Sequence, residues 1–479
     1  MLDTDNKNNN IDDLFFSIWR NKYLLSEIQK HIKLYDEYEI VYLKSMYELR
    51  HHSHREYITS VFIYHNEGIK TPDSDKISYK PIEAGDIPET VTSVKFGNNY
   101  TQPIDIKSAL PSGVTLFEYR NFNQPLTPNT LPPNIKSLTL GMDQEICEGT
   151  FPDSLTFLSL YKFNKTISGP NLFNSVVNLH LTSYNQLLKA GDLPKTLETL
   201  NLNIYNQPLE PNALPPNLKT LITPGFNCPL THGSLPDSIT ELNMDNYKHS
   251  LSNSLSSLTS LKKLSMYSYN QDISEAALPS SITSLNLFLF NKKLLPNVLP
   301  YSTIILRLDT YNHPLEPEVI PPNVEHLELS SYNCFLSKKL LPNSINYLII
   351  SCFGQPFLKD SLSSSIKYLR FCDRGPEIFE MDSIPPSVEI LKLPCFYKHP
   401  LPAGLIPDSV VDLTLPDCYS PLQVGVLPES LTKLTFGFGF DQLLDPNTIP
   451  QSVTQIKLNN RNYPHPISES LTNRLKILK

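Results

Sequence analysis

Three groups of residues in this 479-residue chain are of types that could do chemistry. The first, His51-His52-Ser53-His54, carries three imidazoles, which are common ligands of transition metals. A metal site needs its ligands at defined spacing, and no cluster of Cys, Asp or Glu lies close to these histidines. We therefore interpret the stretch as a solvated polar turn at the end of a helix.

The second candidate is a series of cysteines, Cys352, Cys372, Cys395 and Cys418, at intervals of 20–23 residues. If each interval is one turn of a stacked structure, the first and fourth cysteines lie about 14 Å apart, since parallel strands are spaced by about 4.8 Å. Four thiolates that each sit about 2.3 Å from one zinc ion cannot be spread so far. We interpret them as small buried or half-buried core residues, and adjacent pairs could form disulfides only in oxidised preparations.

The third candidate, Phe436–Phe440, reads FGFGF and contains the GxG spacing of phosphate-binding loops, but no helix is predicted after it. The sequence also lacks the GxSxG, HExxH and Walker patterns. It therefore predicts no catalytic residue, no metal ligand, and no cofactor or cofactor-binding residue, and the protein is not expected to be an enzyme.

The prolines around these stretches belong to an internal repeat. Tyr205–Leu221 reads YNQPLEPNALPPNLKTL, and near-copies stand at Phe122–Leu138 and Tyr311–Leu327. With the proline of each "LP" or close variant as an anchor, about nineteen units of 20–23 residues run from residue 87 to 479. The anchors are Pro88, Pro111, Pro132, Pro152, Pro194, Pro215, Pro236, Pro279, Pro300, Pro321, Pro342, Pro385, Pro407, Pro428 and Pro450, with Phe173, Leu258, Ser363 and Thr472 in register.

Within a unit, apolar residues stand three, six and eight positions after the anchor, as Leu197, Leu200 and Leu202 do after Pro194. The last two alternate with polar residues, which predicts a short strand with one buried face. An aromatic-Asn pair follows, and prolines then favour an extended return segment. One coil of 21 residues encloses no core, so the coils must stack into a solenoid with a continuous apolar column.

The pattern resembles the FNIP repeat family, a branch of the leucine-rich-repeat-like solenoids. The motifs FNQPL, FNCPL and YNHPL, together with LPPN, LPDS and LPSS, carry the resemblance. It implies a repeat solenoid, mainly β, with a parallel strand on one face, a proline-rich return on the other and a small N-terminal helical module. Tyr or Phe stands where leucine-rich repeats place a buried Asn, and Asn follows one position later, so an asparagine ladder is expected to be shifted.

The N-terminal part differs from the repeats. Residues 1–10 are predicted to be disordered, residues 11–54 to form a helical module or cap, and residues 55–86 to be a degenerate first coil. Helical spacing is seen at Leu24, Leu25, Ile28 and Ile32, and again at Ile40, Leu43, Met46 and Leu49. Residues 87–479 form the repeats.

Charge and composition restrict which partners and which cellular compartment are expected. The net charge is −8 with dispersed Lys and Arg, which disfavours nucleic acid as a partner. The polar, acidic N-terminus, the lack of long apolar runs and the seven cysteines predict a cytoplasmic protein without a signal peptide or a membrane partner. An unknown protein is the expected partner, and the chain is expected to be a monomer or a weak end-to-end dimer.

Strand residues five, seven and nine positions after the anchor are predicted to point away from the core. In early coils they are small and polar, as at Ser137 and Thr139, whereas the middle coils present aromatic and cationic residues. Such side chains are enriched in interface hot spots, although Tyr and Phe also simply suit strands. The candidate partner-binding residues are Tyr267, Phe288, Arg307, His326, Tyr347, Tyr368 and Arg370.

The sequence therefore favours a non-enzymatic scaffold for protein–protein interaction, built from FNIP repeats. The alternative, implied by the family resemblance, is an F-box-like substrate adaptor of a ubiquitin ligase, with the N-terminal helices docking the ligase and the solenoid holding the substrate. The stretch IDDLFFSIW lacks the proline with which an F-box usually opens.

Overall fold

The structure is a computed structural model. It describes residues 21–70, 77–167, 169, 171–251, 254–351, 354–372, 375–417 and 421–478. The chain divides into two compact units, Met1–Asn203 and Ile204–Lys479. Residues 1–10, which are predicted to be disordered, the stretch IDDLFFSIW, Cys352 and Cys418 lie outside the described residues.

The first unit contains three helices and ten strands in its described part. The helices are α1 (Lys22–Tyr38), α2 (Met46–Arg50) and α3 (Ile106–Ala109), with a 3-10 turn at Arg55–Tyr57. The strands are β1 (Ile40–Leu43), β2 (Ser60–His65), β3 (Gly68–Lys70), β4 (Ile77–Tyr79), β5 (Ser93–Asn99), β6 (Leu116–Tyr119), β7 (Ser137–Leu140), β8 (Phe157–Leu160), β9 (Asn178–His180) and β10 (Thr199–Asn201). All pair in parallel with their sequence neighbours except β3 and β4, which form an antiparallel hairpin inserted between β2 and β5.

The second unit is a further run of parallel strands, each paired with the next along the chain. They are β11 (Thr220–Ile222), β12 (Glu241–Asn243), β13 (Lys263–Ser265), β14 (Ser284–Asn286), β15 (Ile305–Arg307), β16 (His326–Leu329), β17 (Tyr347–Ile350), β18 (Tyr368–Phe371), β19 (Ile390–Lys392), β20 (Asp412–Thr414), β21 (Lys433–Phe436), β22 (Gln455–Leu458) and β23 (Lys476–Leu478). A 3-10 turn (Pro446–Thr448) and the short helix α4 (Glu469–Thr472) interrupt the last two coils. Within the described ranges, one strand follows each of the nineteen anchors.

Register between coils is set by the apolar column. Leu200 pairs with Leu179 and Leu221 pairs with Leu242, so equivalent leucines stack along each unit. The positions three, six and eight after the anchor are buried, as predicted, in the coils from Pro88 to Pro450, because a one-residue slip would turn this whole set toward solvent. In the last coil the register is shifted by one, since Ile477 rather than Leu478 pairs with Ile456. The structure thus confirms a parallel solenoid whose core is one continuous column per unit.

The shifted asparagine ladder is also confirmed. Asn227 donates its backbone N–H to the side-chain oxygen of Asn206 at 2.8 Å, and Lys248 donates to that of Asn227 at 2.9 Å. The same bond recurs at 2.7–2.9 Å from Asn291 to Asn270, from Asn312 to Asn291 and from Asn333 to Asn312. Each asparagine therefore satisfies a backbone group of the next coil, which supports the turn after the strand.

A left-handed corner lies three residues before most of the anchors and was not predicted from the sequence. The corner residue has positive φ at Gly191 (92°), Asn212 (63°) and Gly233 (81°), but also at Glu318 (67°). Residues with a Cβ are strained in this conformation, which explains the frequent Gly, Asn and Asp three places before the anchor.

Replacing Glu318 by Gly should therefore stabilise the second unit. Relief of the left-handed strain outweighs the added freedom of the unfolded chain by about 0.5–1 kcal/mol, which corresponds to a rise of about 1–2 °C in melting temperature. Thermal unfolding of the full chain checks this. The matched control Glu316→Gly, where φ is not positive, should lower the melting temperature; an equal loss from both changes would contradict the argument.

The helical prediction for Ile40–Leu43 was wrong, because these residues form β1, which pairs in parallel with β2. Val41 and Leu43 point inward, while Ile40 and Tyr42 are exposed, which is the two-residue period of a strand. The spacing of Ile40 and Leu43 fits a helix too, but a β-branched and aromatic run next to an available strand edge favours pairing. The predictions at Met46 and Leu49 were correct, since both are buried in α2.

Helix α1 is packed differently from a core helix. No residue of α1 is buried, and Tyr23, Leu24, Ile32 and Tyr35 are exposed. Within the described ranges, no helix combines the length and the hydropathy needed to span a bilayer.

Candidate functional site

The histidines of the first stretch pack against helix α1. The ring of Tyr38 stacks on His54, with centroids 4.7 Å apart, and meets His52 edge-on at 5.3 Å. Burial lowers the pKa of His52, and His51 Nδ1 lies 2.8 Å from the backbone oxygen of Tyr47. The solvated-turn interpretation is therefore replaced by a half-buried packing role for His52 and His54.

The other two candidate stretches follow the geometry of the coils. Cys372 and Cys395 are half-buried. A side chain at Gly437 would place its Cβ 2.1 Å from Oδ1 of Asp417, so this glycine permits the close approach of neighbouring coils. In the described part of the chain, no group of three or more His, Cys, Asp or Glu side chains is placed to hold a metal ion.

The seven predicted surface residues all lie on β13 to β18 or within two residues of their ends. We define the strand face as the outward side of the strands, which carries the positions five and seven after the anchors from Pro88 to Pro450, and their registered neighbours Lys476 and Leu478 in the last coil. Arg307, His326, Tyr347, Tyr368 and Arg370 lie on it. The position nine after the anchor is not uniformly outward, because Asp309 and Ser351 are buried.

Tyr267 and Phe288 form a separate aromatic pair two residues beyond the ends of β13 and β14. Their rings stack with centroids 4.4 Å apart and an angle of 8° between the planes. Tyr267 is 40% exposed, and its backbone N–H donates to Oδ1 of Asp245 at 3.3 Å. The pair therefore offers an apolar edge to solvent.

His326, Tyr347 and Tyr368 form a continuous stack, which we call the aromatic column. Both centroid separations are 4.0 Å, and the planes of the two tyrosines differ by 4°. Burial raises the pKa of Tyr347 to about 12, with a further contribution from its hydrogen bond with Tyr368. The ammonium of Lys392 lies 5.5 Å from the centroid of the Tyr368 ring and extends the column with a cation.

The sequence did not single out Glu328, which joins two of the predicted residues. Its Oε1 lies 2.6 Å from Nε2 of His326 and accepts from Nε of Arg307 at 3.1 Å. The hydrogen bond from His326 is the largest cause of the lowered pKa of Glu328, and Arg307 adds to it against the opposing effect of burial. Register could have revealed the contact, because Arg307 and Glu328 are direct cross-strand partners.

A second carboxylate lies behind this group. Asp309 accepts from the hydroxyl of Ser330 at 2.7 Å, while its Oδ2 is buried with no hydrogen-bond partner among the described residues. Burial raises the pKa of Asp309, and the charge of Glu328 acts in the same direction. Glu328 thus remains the acidic partner of Arg307 at the surface.

Stacking alone does not mark a binding site in a solenoid. Equivalent positions in neighbouring coils are close, so buried rings stack as well, for example Phe226 on Tyr205 and Tyr247 at 6.4 and 6.2 Å. The aromatic column differs because its rings are only partly covered and lie among charged side chains on the outward face of the strands. Nothing in the core requires aromatic residues there.

Comparison with protein-family models gives one matching family, described as the FNIP repeat. The matches together cover more than half of the chain, at residues 80–116, 122–162, 205–247, 269–311, 290–329, 311–353, 353–396 and 397–439. No curated protein matches the chain.

Solved structures give the same architecture. CroV588, described as a novel circular leucine-rich-repeat protein, is 26% identical with a TM-score of 0.66, over 88% of this chain and 72% of that one. YopM from Yersinia enterocolitica WA-314 is 19% identical (TM-score 0.49), over 87% of this chain and 90% of YopM. The functional domain of InlJ from Listeria monocytogenes is 13% identical (TM-score 0.45), over 76% of this chain and 74% of that domain. The first likeness supports a leucine-rich-repeat-like solenoid.

Proposed function

The chain belongs to the FNIP repeat family, and from that premise we propose that it is a non-enzymatic scaffold that binds a protein partner on the strand face of its second unit. The observation that carries the proposal is the aromatic column with its flanking charges. It replaces the small polar residues that other coils present at the same positions, such as Ser137 and Thr139. The odd number of cysteines favours a cytoplasmic setting.

The physical basis is the area that rigid aromatic side chains can bury. The rings of His326, Tyr347 and Tyr368 are held nearly parallel by their neighbours. Because their rotamers are already restricted, little side-chain entropy is lost when a partner covers them. The charged groups beside them, Arg307 and Glu328, can set the orientation of a partner through hydrogen bonds. The column thus has the composition of an interface hot spot.

Replacing both Tyr347 and Tyr368 by Ala should weaken partner binding by at least about tenfold, since buried aromatic anchors carry much of an interface's affinity. Affinity purification with mass spectrometry would identify the partner, and titration of the purified partner would give its dissociation constant. The melting temperature should change little, because neither ring belongs to the apolar column.

The matched control is the pair Ser137→Ala and Thr139→Ala, which lies at the same positions of an earlier coil. This pair should leave the affinity nearly unchanged. Equal losses from both pairs, or no loss from either, would exclude the aromatic column as the binding surface.

A second candidate function rests on helix α1. Its apolar residues Tyr23, Leu24, Ile32 and Tyr35 are exposed, which suits docking of another protein as an F-box-like adaptor would require. In that role the helix would bind ligase subunits and the solenoid would hold the substrate. Co-purification of ligase subunits, abolished by deletion of residues 1–38, is the expected result; their absence would leave α1 a cap of the solenoid.

A further inference from the structure

The strand face changes its charge in the last coils of the second unit. From β18 to β23 its outward positions carry five cations, Arg370, Lys392, Lys433, Lys457 and Lys476, and a single carboxylate, Asp412. We call these five residues the basic stripe. It lies in a protein whose net charge is −8, so it does not reflect the overall composition.

Earlier cations of the strand face in the second unit, Lys263 and Arg307, are neutralised within the protein. Lys263 lies 3.5 Å from Glu241 and Arg307 lies 3.1 Å from Glu328, each across one strand pairing. In the described part of the chain, no ion pair involves any residue of the basic stripe, and this includes Lys433 and its registered neighbour Asp412. The stripe is thus a row of cations that form no ion pair with the described residues, and Asp412 is the single carboxylate on the same outward positions.

The stripe is continuous with the aromatic column. Lys392 lies over the ring of Tyr368, and Tyr368 and Arg370 are outward neighbours on β18. Arg370 and Lys392 are also direct cross-strand partners. A partner that covers the aromatic column and continues toward the last coils must therefore meet these cations.

We propose that the partner presents an acidic, extended peptide segment to the basic stripe, next to apolar residues that cover the aromatic column. This inference rests on the proposed function and adds the chemistry of the partner. Carboxylates would pair with the exposed cations, and this electrostatic match would set the direction in which the segment lies. A short acidic segment can lie within the stripe, whereas a long polyphosphate backbone would continue beyond it and meet the remaining surface of a protein whose net charge is −8.

The dimensions fit such a segment. The stripe spans five strand-to-strand steps, or about 24 Å at about 4.8 Å per step. An extended peptide rises about 3.3 Å per residue, so about eight residues cover the same length.

The test uses a fluorescent twelve-residue peptide of alternating Glu and Ser, with an alternating Gln and Ser peptide as the uncharged control. The acidic peptide should bind the full chain with a dissociation constant in the micromolar range at low salt. Its affinity should fall as sodium chloride is raised, because salt screens exposed charges. The triple variant Arg370→Glu, Lys433→Glu and Lys457→Glu should weaken binding by at least about tenfold.

The control variant Lys136→Glu, Lys162→Glu and Lys262→Glu changes the net charge equally at exposed lysines outside the stripe. It should weaken binding less than about twofold, since distant charges are screened. Thermal melts of both variants verify that they remain folded. If the stripe variant fails to fold, the neutral variant Arg370→Gln, Lys433→Gln and Lys457→Gln takes its place.

Three results would overturn the inference: no binding of the acidic peptide, equal weakening by both charge-reversal variants, or tighter binding of a twelve-nucleotide oligo(U) RNA that the stripe variant abolishes. Each is distinguishable from failure of the proposed function. That proposal depends on loss of the natural partner upon Tyr347→Ala with Tyr368→Ala, so a failed peptide test with a successful tyrosine test removes only the acidic-partner inference.

Discussion

Substitution of Leu200 by Asp should unfold the coils around β10. Leu200 has no solvent exposure and stacks on Leu179, so the change removes a buried leucine and places an unpaired carboxylate in the column. Loss of the leucine alone costs about 2–5 kcal/mol, and the buried charge adds several more, which gives a total of at least about 5 kcal/mol. Thermal unfolding and hydrogen exchange of the full chain are the measurements, with the protection of β9 and β10 expected to disappear.

Asn201→Asp is the matched control, one residue further along the same strand. Asn201 lies on the outward side, so its new charge remains in contact with water and should cost less than about 1 kcal/mol. A comparable loss from both substitutions would show that the inward and outward sides of the strand are assigned incorrectly.

The repeats could be predicted from the sequence because two independent signals agree in each coil. The apolar positions fix which side of the strand is buried, and the anchor prolines fix where the strand begins. Leu200 and Leu434 are buried in distant coils for the same reason, since each lies six residues after its anchor. A shift of the strand pairing by one residue would expose every leucine of the column, so the pattern is compatible with a single register.

The contacts of the candidate surface were harder to predict than its members. The sequence singled out Arg307, Tyr347 and Tyr368 by residue type, but the roles of Glu328 and Lys392 depend on cross-strand neighbours about twenty residues away. Both contacts join adjacent coils, Arg307 to Glu328 and Lys392 to Tyr368. Residue type marks which side chains suit an interface, whereas register decides which of their charges remain unpaired.

The N-terminal part lacks the anchor prolines, so its strands could not be predicted in the same way. Ile40–Leu43 fits both a helix and a strand, and pairing with β2 decides between them. The packing of the segment that follows also depends on one buried arginine. Nothing in local sequence predicts that Arg50 contacts residues 17 and 36 positions further along the chain.

Arg50→Met should destabilise the first unit by about 3–5 kcal/mol, because it leaves two carboxylates buried without a counter-charge. Nη1 of Arg50 donates to Glu67, and Nη2 donates to Asp86 at 2.8 Å and to the backbone oxygen of Pro81 at 2.9 Å. The side chains of Arg50, Glu67 and Asp86 are 8%, 9% and 14% exposed, so water can replace little of this bonding. Thermal unfolding at pH 7 measures the loss.

The pH dependence of that loss identifies its cause. Burial alone would raise the pKa of Asp86, but its hydrogen bonds and the charge of Arg50 outweigh burial, and the pKa is lowered. In the native protein this contribution is therefore present above the unfolded pKa of about 3.9 and disappears as pH falls through the lower, folded pKa. In Arg50→Met the same carboxyl is buried without its cation, so its folded pKa rises above 3.9 and protonation on acidification relieves the cost.

The loss of stability in the variant should thus be largest near pH 7 and shrink toward pH 4, and adding Glu67→Gln and Asp86→Asn should recover part of it at pH 7. A deficit that is the same at both pH values and unchanged by the two amides would show that Arg50 acts through the packing of its side chain rather than through its charge.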